Sequence, residues 1–342
     1  MKRIGFACKL IDRPDQVLGI KPTDDCKQYN TGSTTVAWLN RQTKEVAEQK
    51  LWDLMVNNIE STRKLIEKIG QLDGNLRMVR ISSDLLPVYT ESTWSYFWRR
   101  PDVIDYCAKA FMAVGQLARM LDVRLSFHPG QFCVMASDNP DIVRRSIEEF
   151  EYHADMARWM GYGRTFQDFK CNVHIAGRRG AMGIVDAYKQ LSPEARNILT
   201  IENEEMKHGL EDCLVLSDHG IPIVLDLHHN WVREGEYLSP TDDRTKRVLE
   251  SWRDQRPTLH YSCSREDYLV GHDTATAPNY LALLETGHKK SKLRAHSDFY
   301  WNTACNDWAL SFLDHFDIMC ESKGKNLASF ALYERAKELE LV

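Results

Sequence analysis

No Cys-x-x-Cys pair occurs in the chain. Its nine cysteines (8, 26, 107, 133, 171, 213, 263, 305 and 320) are odd in number and widely scattered. That excludes a zinc ribbon and a disulfide framework, and leaves reduced packing residues. No apolar run approaches the roughly eighteen residues of a membrane span. The apolar stretch of the N-terminal MKRIGFACKLIDRPD breaks too early for a secretory signal, so a cytoplasmic chain is expected. No Gly/Ser linker, low-complexity block or internal repeat marks a boundary, and one domain over residues 1–342 is expected. An excess of positive charge is missing as well: the formal net charge is −5. A general DNA-coating surface is thereby excluded, although a local basic rim around an acidic metal site is still compatible with it.

Short apolar, β-branched runs alternate with longer amphipathic ones. The pattern predicts eight strands: Arg3–Ala7, Arg77–Ile81, Arg124–Phe127, Cys171–Ile175, Leu199–Glu202, Ile221–Leu225, Thr258–Tyr261 and Phe316–Cys320. Between them, apolar spacing of about 3.6 predicts helices within Asn40–Ile69 and over Asp102–Leu121, Asp141–Met160, Leu210–His219, Asp242–Trp252, Thr303–Asp314 and Ala328–Leu339. Such alternation implies parallel strands joined by right-handed crossovers. A doubly wound sheet is the competing architecture, but no G-x-G-x-x-G follows the first strand. The expectation is a single α/β (β/α)8 TIM barrel with its chemistry at the C-terminal mouth.

The strand ends carry an unusual set of side chains. His128 follows RLSF, His174 follows CNV, Glu202 closes LTI, Asp226 closes IPIVL, His260 lies in PTLHYS and Glu321 follows FDIMC. A lone residue of this kind is usually a hydrogen-bonded core group. Six at one end of one barrel are harder to dismiss, because uncompensated buried charge is expensive. A metal cluster explains them most simply. Asp226 and His229 form Asp-x-x-His just past a strand, and a loop there would turn the histidine back to the mouth. His296, on a long loop, can reach the same place. Imidazole nitrogen and carboxylate oxygen suit zinc or manganese, and Glu202, midway in the strand order, is the candidate bridge between two ions.

Other segments admit two readings each. In HPGQF (His128–Phe132), Pro129–Gly130 forces a turn after a candidate ligand, thrusting Gln131 and Phe132 outward, where an amide and an aromatic could enter a DNA helix. The alternative is a loop whose phenylalanine folds back into the core. Trp94, Tyr96, Phe97 and Trp98 could line a groove, but such clusters are more often packed. The basic run His288–Arg294 reads more readily as a solvated loop than as a phosphate contact. Lys323 and Lys325, in ESKGK just past Glu321, are better placed for a phosphate near the metals.

Taken in order, MVRISSDLLP (78–87), LSFHPGQF (125–132), VHIAG (173–177), TIENEE (200–205), LDLHH (225–229), LHYS (259–262), RAHSD (294–298) and ESKGK (321–325) give the chain its resemblance to the ultraviolet damage endonucleases. The resemblance runs nearly end to end. It implies a metal-dependent repair endodeoxyribonuclease that acts on UV-damaged double-stranded DNA and cuts immediately 5′ to a photoproduct, leaving a 3′-hydroxyl and a 5′-phosphate. It implies three divalent ions, manganese first, with zinc or magnesium as alternatives. By motif, His128 and His174 resemble ligands of one ion, Glu202 bridges to a second held with Asp226, His260 and Glu321, and His229 with His296 resemble ligands of the third. The same resemblance implies catalytic roles for Glu202 and Lys323, and DNA or lesion contacts for Phe6, Gln131, Phe132, Arg80 and Lys325. It also implies activity at the nucleoid in a bacterial or viral setting, with no obligate protein partner.

Two departures stand out. The family often has a lysine two residues before the seventh-strand histidine, where this chain has Thr258. The family's probing aromatics are commonly tyrosines, and the corresponding positions here are Phe6 and Phe132, which keep the stacking face and lose a phenolic hydrogen bond. The main alternative is a metal-dependent sugar isomerase or epimerase on the same barrel, and a further one is a non-catalytic damage-binding protein.

Overall fold

Strands form where β-branched and apolar residues cluster between turn signals. The computed structural model describes residues 1–342. Its strands are β1 Ile4–Ala7, β2 Met78–Arg80, β3 Arg124–Phe127, β4 Lys170–His174, β5 Leu199–Glu202, β6 Ile223–Val224, β7 Thr258–Tyr261 and β8 Asp317–Cys320. They lie in the order β6-β5-β4-β3-β2-β1-β8-β7, and neighbours pair in parallel. The two ends of that order meet: Asp226 and His260 form a parallel bridge, and the His260 N–H donates to the Leu225 carbonyl at 2.9 Å. The expected (β/α)8 barrel is therefore what the chain adopts.

The helices begin where the residue types favour it. The Thr43 side chain accepts from the Val46 N–H to start Lys44–Gly70, and Pro101 and Pro140 occupy the opening turns of Pro101–Met120 and Pro140–Trp159. Leu51, Met55 and Ile59 of the first helix, and Phe111 and Val114 of the second, lie in the same continuous core. Helix Pro101–Met120 comes so near the turn after Pro140–Trp159 that a Cβ at Gly115 would overlap the Met160 carbonyl. Among the helices that the pattern reading does not include are Gly180–Tyr188, Pro193–Ile198, Leu227–Glu234 and Tyr280–Glu285. No helix is long and apolar enough to cross a membrane.

All nine cysteines are free, and all but Cys8 are buried. Trp94, Phe97 and Trp98 pack into the core, so the groove reading of that aromatic cluster fails; only Tyr96 stays exposed. At the N-terminal end of the barrel, Asp317 is buried between two guanidiniums, accepting from Arg124 Nη1 and Arg256 Nε at 2.6 Å each. The strands above it carry a polar interior that leads to the opposite mouth.

Candidate metal centre

Strand alternation aims every second side chain inward. On β4 that face holds Lys170, Asn172 and His174, on β5 Thr200 and Glu202, and on β7 Thr258 and His260. The contacts agree: Thr200 Oγ1 donates to Asn172 Oδ1 at 2.9 Å, and Asn172 Nδ2 donates to Glu202 Oε2. Glu202 is fully buried at the centre. His128 Nε2 and His260 Nδ1 lie 3.4 and 3.0 Å from its Oε2, while His229 Nδ1 and His174 Nδ1 lie 3.3 and 3.9 Å from its Oε1. His260 Nδ1 is also 3.1 Å from Glu321 Oε1.

Two sets of side chains bring one potential ligand atom each to within 4.8 Å of one another: His128, His174 and Glu202, and Glu202, Asp226, His260 and Glu321. Glu202 belongs to both. Three buried atoms of this cluster have no hydrogen-bond partner: Glu202 Oε1, Asp226 Oδ2 and His260 Nδ1. Buried polar atoms are nearly always paired, so three orphans converging on one point fit a cation. The donor set, imidazole nitrogen with carboxylate oxygen, suits a divalent ion of the zinc or manganese kind.

The electrostatics point the same way. Burial opposes ionisation of Glu202, but His260, His174 and contacts from His128 and His229 together hold it well below the ordinary carboxylate range. Burial pushes Asp226 well above that range, against the pull of His229 and with the help of Glu202 and Glu321. His260 is lowered to about 4, chiefly by burial, which keeps its ring neutral and able to ligate. The cluster thus concentrates negative charge on one shared carboxylate and resists it on the next. A divalent cation relieves that imbalance.

Local structure explains how some ligands arrive. Asp226 caps helix Leu227–Glu234, its Oδ1 accepting from the His229 N–H at 2.6 Å. His229 therefore reaches the mouth from a first helical turn, not from the loop expected, because Asp226 is a strong N-cap residue. His229, His128 and His296 each have Nδ1 at 2.9 Å from a backbone carbonyl, of Asn203, Pro129 and Glu321 respectively. A carbonyl only accepts, so each ring donates from Nδ1 and leaves its lone pair on Nε2.

The remaining expected residues divide. Phe132 is 85% exposed and Gln131 is exposed beside it, at the rim of the mouth. Phe6 is a correction: it is 1% exposed within β1, with no ring face free for a base, because a strand residue turned inward becomes core. Arg80 forms a largely buried ion pair with Glu321, so its charge is spent on a candidate ligand rather than presented at the surface. Lys325 opens the last helix half-buried, while Lys323 Nζ lies 3.0 Å from Asp298 Oδ1 and stays 43% exposed. His229 and His296 fall outside both ligand sets, though their rings stand 5.9 Å apart.

Sequence reasoning missed Lys170. Its side-chain amine is buried, 2.8 Å from His260 Nε2, and burial lowers its pKa to about 7 against the opposing pull of Glu202. The corresponding family lysine position on β7 is Thr258, while this buried amine stands on β4. Beginning that strand at Cys171 hid it; the alternation Lys170, Asn172, His174 was the available signal.

Comparison with known proteins decides the family. The sequence model described as UV-endonuclease UvdE matches residues 3–342. The chain belongs to the UV-endonuclease UvdE family. It is 24% identical over 315 residues to a UV DNA damage endonuclease of Bacillus cereus (strain Q1), covering 89% of this chain and 88% of that one. A UV DNA damage endonuclease of Halalkalibacterium halodurans is 24% identical over 307 residues, covering 86% and 85%. Among solved structures, SacUVDE superposes with a TM-score of 0.72 at 21% identity over 100% of both chains. Endonuclease IV of Thermus thermophilus gives 0.53 at 14%, covering 82% of this chain and 95% of the other. Both share the barrel. The UvdE match spans every motif from RIGFAC to ESKGK.

Proposed function

We propose that residues 1–342 form one DNA repair endonuclease domain that recognises UV photoproducts in duplex DNA. It hydrolyses the phosphodiester immediately 5′ to the lesion, leaving a 3′-hydroxyl and a 5′-phosphate. The observation that supports this most is the shared carboxylate: Glu202 belongs to both ligand sets at the mouth of a UvdE-family barrel. His128, His174 and Glu202 would hold one divalent ion, and Glu202, Asp226, His260 and Glu321 a second, with manganese the first choice. When bound, such ions polarise the scissile phosphate and lower the pKa of an attacking water.

The chain's own residues do the rest. Arg80 fixes Glu321 through their buried pair, and the Lys170 amine, in its neutral form accepting from the His260 Nε2–H, fixes that ring from behind, so that the Nδ1 lone pair faces the carboxylates. The cleft above them holds about 380 Å³ and is lined by Pro129, Gly130 and Gln131 on one side and by Glu205, Arg294 and His296 on the other. Lys323, two residues beyond Glu321, would offer a positive charge to the phosphate and leave Asp298 to do so. The experiment is direct: purified protein, Mn2+ and a duplex carrying one defined photoproduct, with the cut mapped to the nucleotide. A single nick at the 5′ side, lost on chelation, is expected. Intact DNA alongside interconversion of ketoses would establish the isomerase instead.

Gln131 and Phe132 serve in finding the lesion. Stacking by one aromatic is worth roughly 1–3 kcal/mol per base in single-stranded binding. Phe132→Ala is therefore expected to reduce discrimination between damaged and intact duplex by about ten- to a hundredfold, at roughly 1.4 kcal/mol per factor of ten. Competition between the two duplexes for a metal-loaded, cleavage-dead background measures it. An unchanged ratio would remove Phe132 from recognition.

A further inference from the structure

Phe132 and Val270 are the two most exposed large apolar side chains in the molecule, Val270 at 86%. Phe132 follows β3 and Val270 follows β7. Those strands lie opposite one another, equally far apart by either route, β3-β2-β1-β8-β7 or β3-β4-β5-β6-β7. A single exposed valine carries no meaning by itself. Val270, however, sits at the tip of a braced loop. The base is fastened by the Ser264–His296 antiparallel bridge and by the Arg265 N–H, which donates to the Ala295 carbonyl at 3.1 Å. Leu269, one residue before the tip, is buried with Trp231, Tyr280 and Leu293. Gly271, one residue after it, turns at φ +81° into open space. Close by, Lys292 Nζ stands 5.3 Å over the Tyr268 ring and stays exposed, as do Lys289 and Arg294. Two carboxylates of the same loop are already engaged: Asp267 pairs with Arg265, and Asp273 accepts from Thr276.

We propose that Val270 is a second apolar contact with duplex DNA, on the intact flank 5′ to the cut, and that the basic run His288–Arg294 holds the phosphates beside it. The proposal rests on the functional reading above and narrows its substrate. With the scissile phosphate over the metal centre, Gln131 and Phe132 on the β3 rim meet the lesion, which lies 3′ to the cut. The opposite rim then faces the other way along the duplex. An aliphatic side chain on a fixed tip suits a wedge against a base step, as apolar residues serve in minor-groove binding. Lysines next to it supply phosphate contacts that read no sequence. The substrate is thus a lesion with paired DNA on both sides of the cut.

Flank length tests this. Eight strands spaced about 4.8 Å close a hoop roughly 15 Å across, so a 5′ flank of about two base pairs, at about 3.4 Å each, ends before the β7 loop. That duplex is compared with one whose 5′ flank is a full helical turn of about 10 base pairs. Both carry the same photoproduct and an uncleavable phosphonate at the cut site. Full-length wild type, Val270→Ser and Lys292→Ala are titrated with each in Mn2+. Val270→Ser is expected to bind the long-flank duplex about three- to tenfold more weakly, as the loss of a partly buried valine implies, and the short-flank duplex as wild type does. Lys292→Ala is expected to lower the salt dependence by about one unit of slope, on the long flank alone. Equal loss by Val270→Ser on both duplexes overturns the proposal, because the loop would then only brace the cleft; no loss on either overturns it too. Incision is scored separately on the same duplexes with a natural phosphate. Flank-dependent loss of binding in a protein that never incises would sink the functional reading and leave this contact standing. Normal incision by a Val270→Ser variant that ignores flank length would do the reverse.

Discussion

Glu202→Gln is expected to lower photoproduct incision by about a thousandfold or more while leaving the affinity for damaged duplex nearly unchanged. The amide keeps the shape of the side chain and loses the charge that lets one carboxylate serve two cations. It also meets a hydrogen-bonding conflict: Asn172 already donates to Oε2, so the new NH2 must point toward Oε1, where the His229 ring lies 3.3 Å away with Nδ1 already donating to Asn203. Bound metal should fall together with turnover. Lesion binding should persist, because Gln131 and Phe132 stand at the rim and do not depend on Glu202. Incision by purified Glu202→Gln at the wild-type rate, with contaminating nuclease excluded, would contradict the bridging role. Stability need not suffer: the substitution removes a fully buried carboxylate from a crowded set of like charges, which offsets part of any lost contact.

Asp317→Ala is expected to do the opposite. Its carboxylate accepts from Arg124, from Arg256 and from the Arg3 N–H at 2.9 Å, and it is 1% exposed at the end of the barrel away from the metals. Removing it leaves two guanidiniums sharing a site with no counter-charge, a loss of about 3–5 kcal/mol. The midpoint of thermal unfolding, followed by circular dichroism, should fall by roughly 4–7 °C. Incision per folded molecule should not change. An unaltered midpoint would mean that solvent, rather than Asp317, compensates these arginines. The pair of substitutions separates the ends of the barrel: one end carries the chemistry, the other the stability.

The two ends were not equally legible. Strands were found within about two residues because β-branched runs bounded by turn residues admit few alternatives, and a barrel then forces every strand end to one mouth. His128, His174, Glu202, Asp226, His260 and Glu321 could be collected from that rule alone, and their side chains do converge. Helix Leu227–Glu234 was hidden because its first turn is built from site residues, whose polarity masks the helical period. Phe6 was misjudged because a position carried over from a family motif says nothing about which way a short strand faces. Glu205, within TIENEE, carries no signal of its own in the sequence, since only the fold brings Arg294 and His229 to its two oxygens.

One consequence follows from how thinly the barrel is joined at β6. That strand contributes only Ile223 and Val224, and its link to β7 comes down to the Asp226–His260 bridge and one amide hydrogen bond. Pictured as a hoop of eight staves, the fold is least fastened at this joint. The side chains at the joint are the same two that face Glu202 and Glu321. An ion gripped by Asp226 and His260 would be a clasp on the hoop. Loading the centre and locking the last stave would then be a single event, and a chelator would act on the hoop as much as on the chemistry.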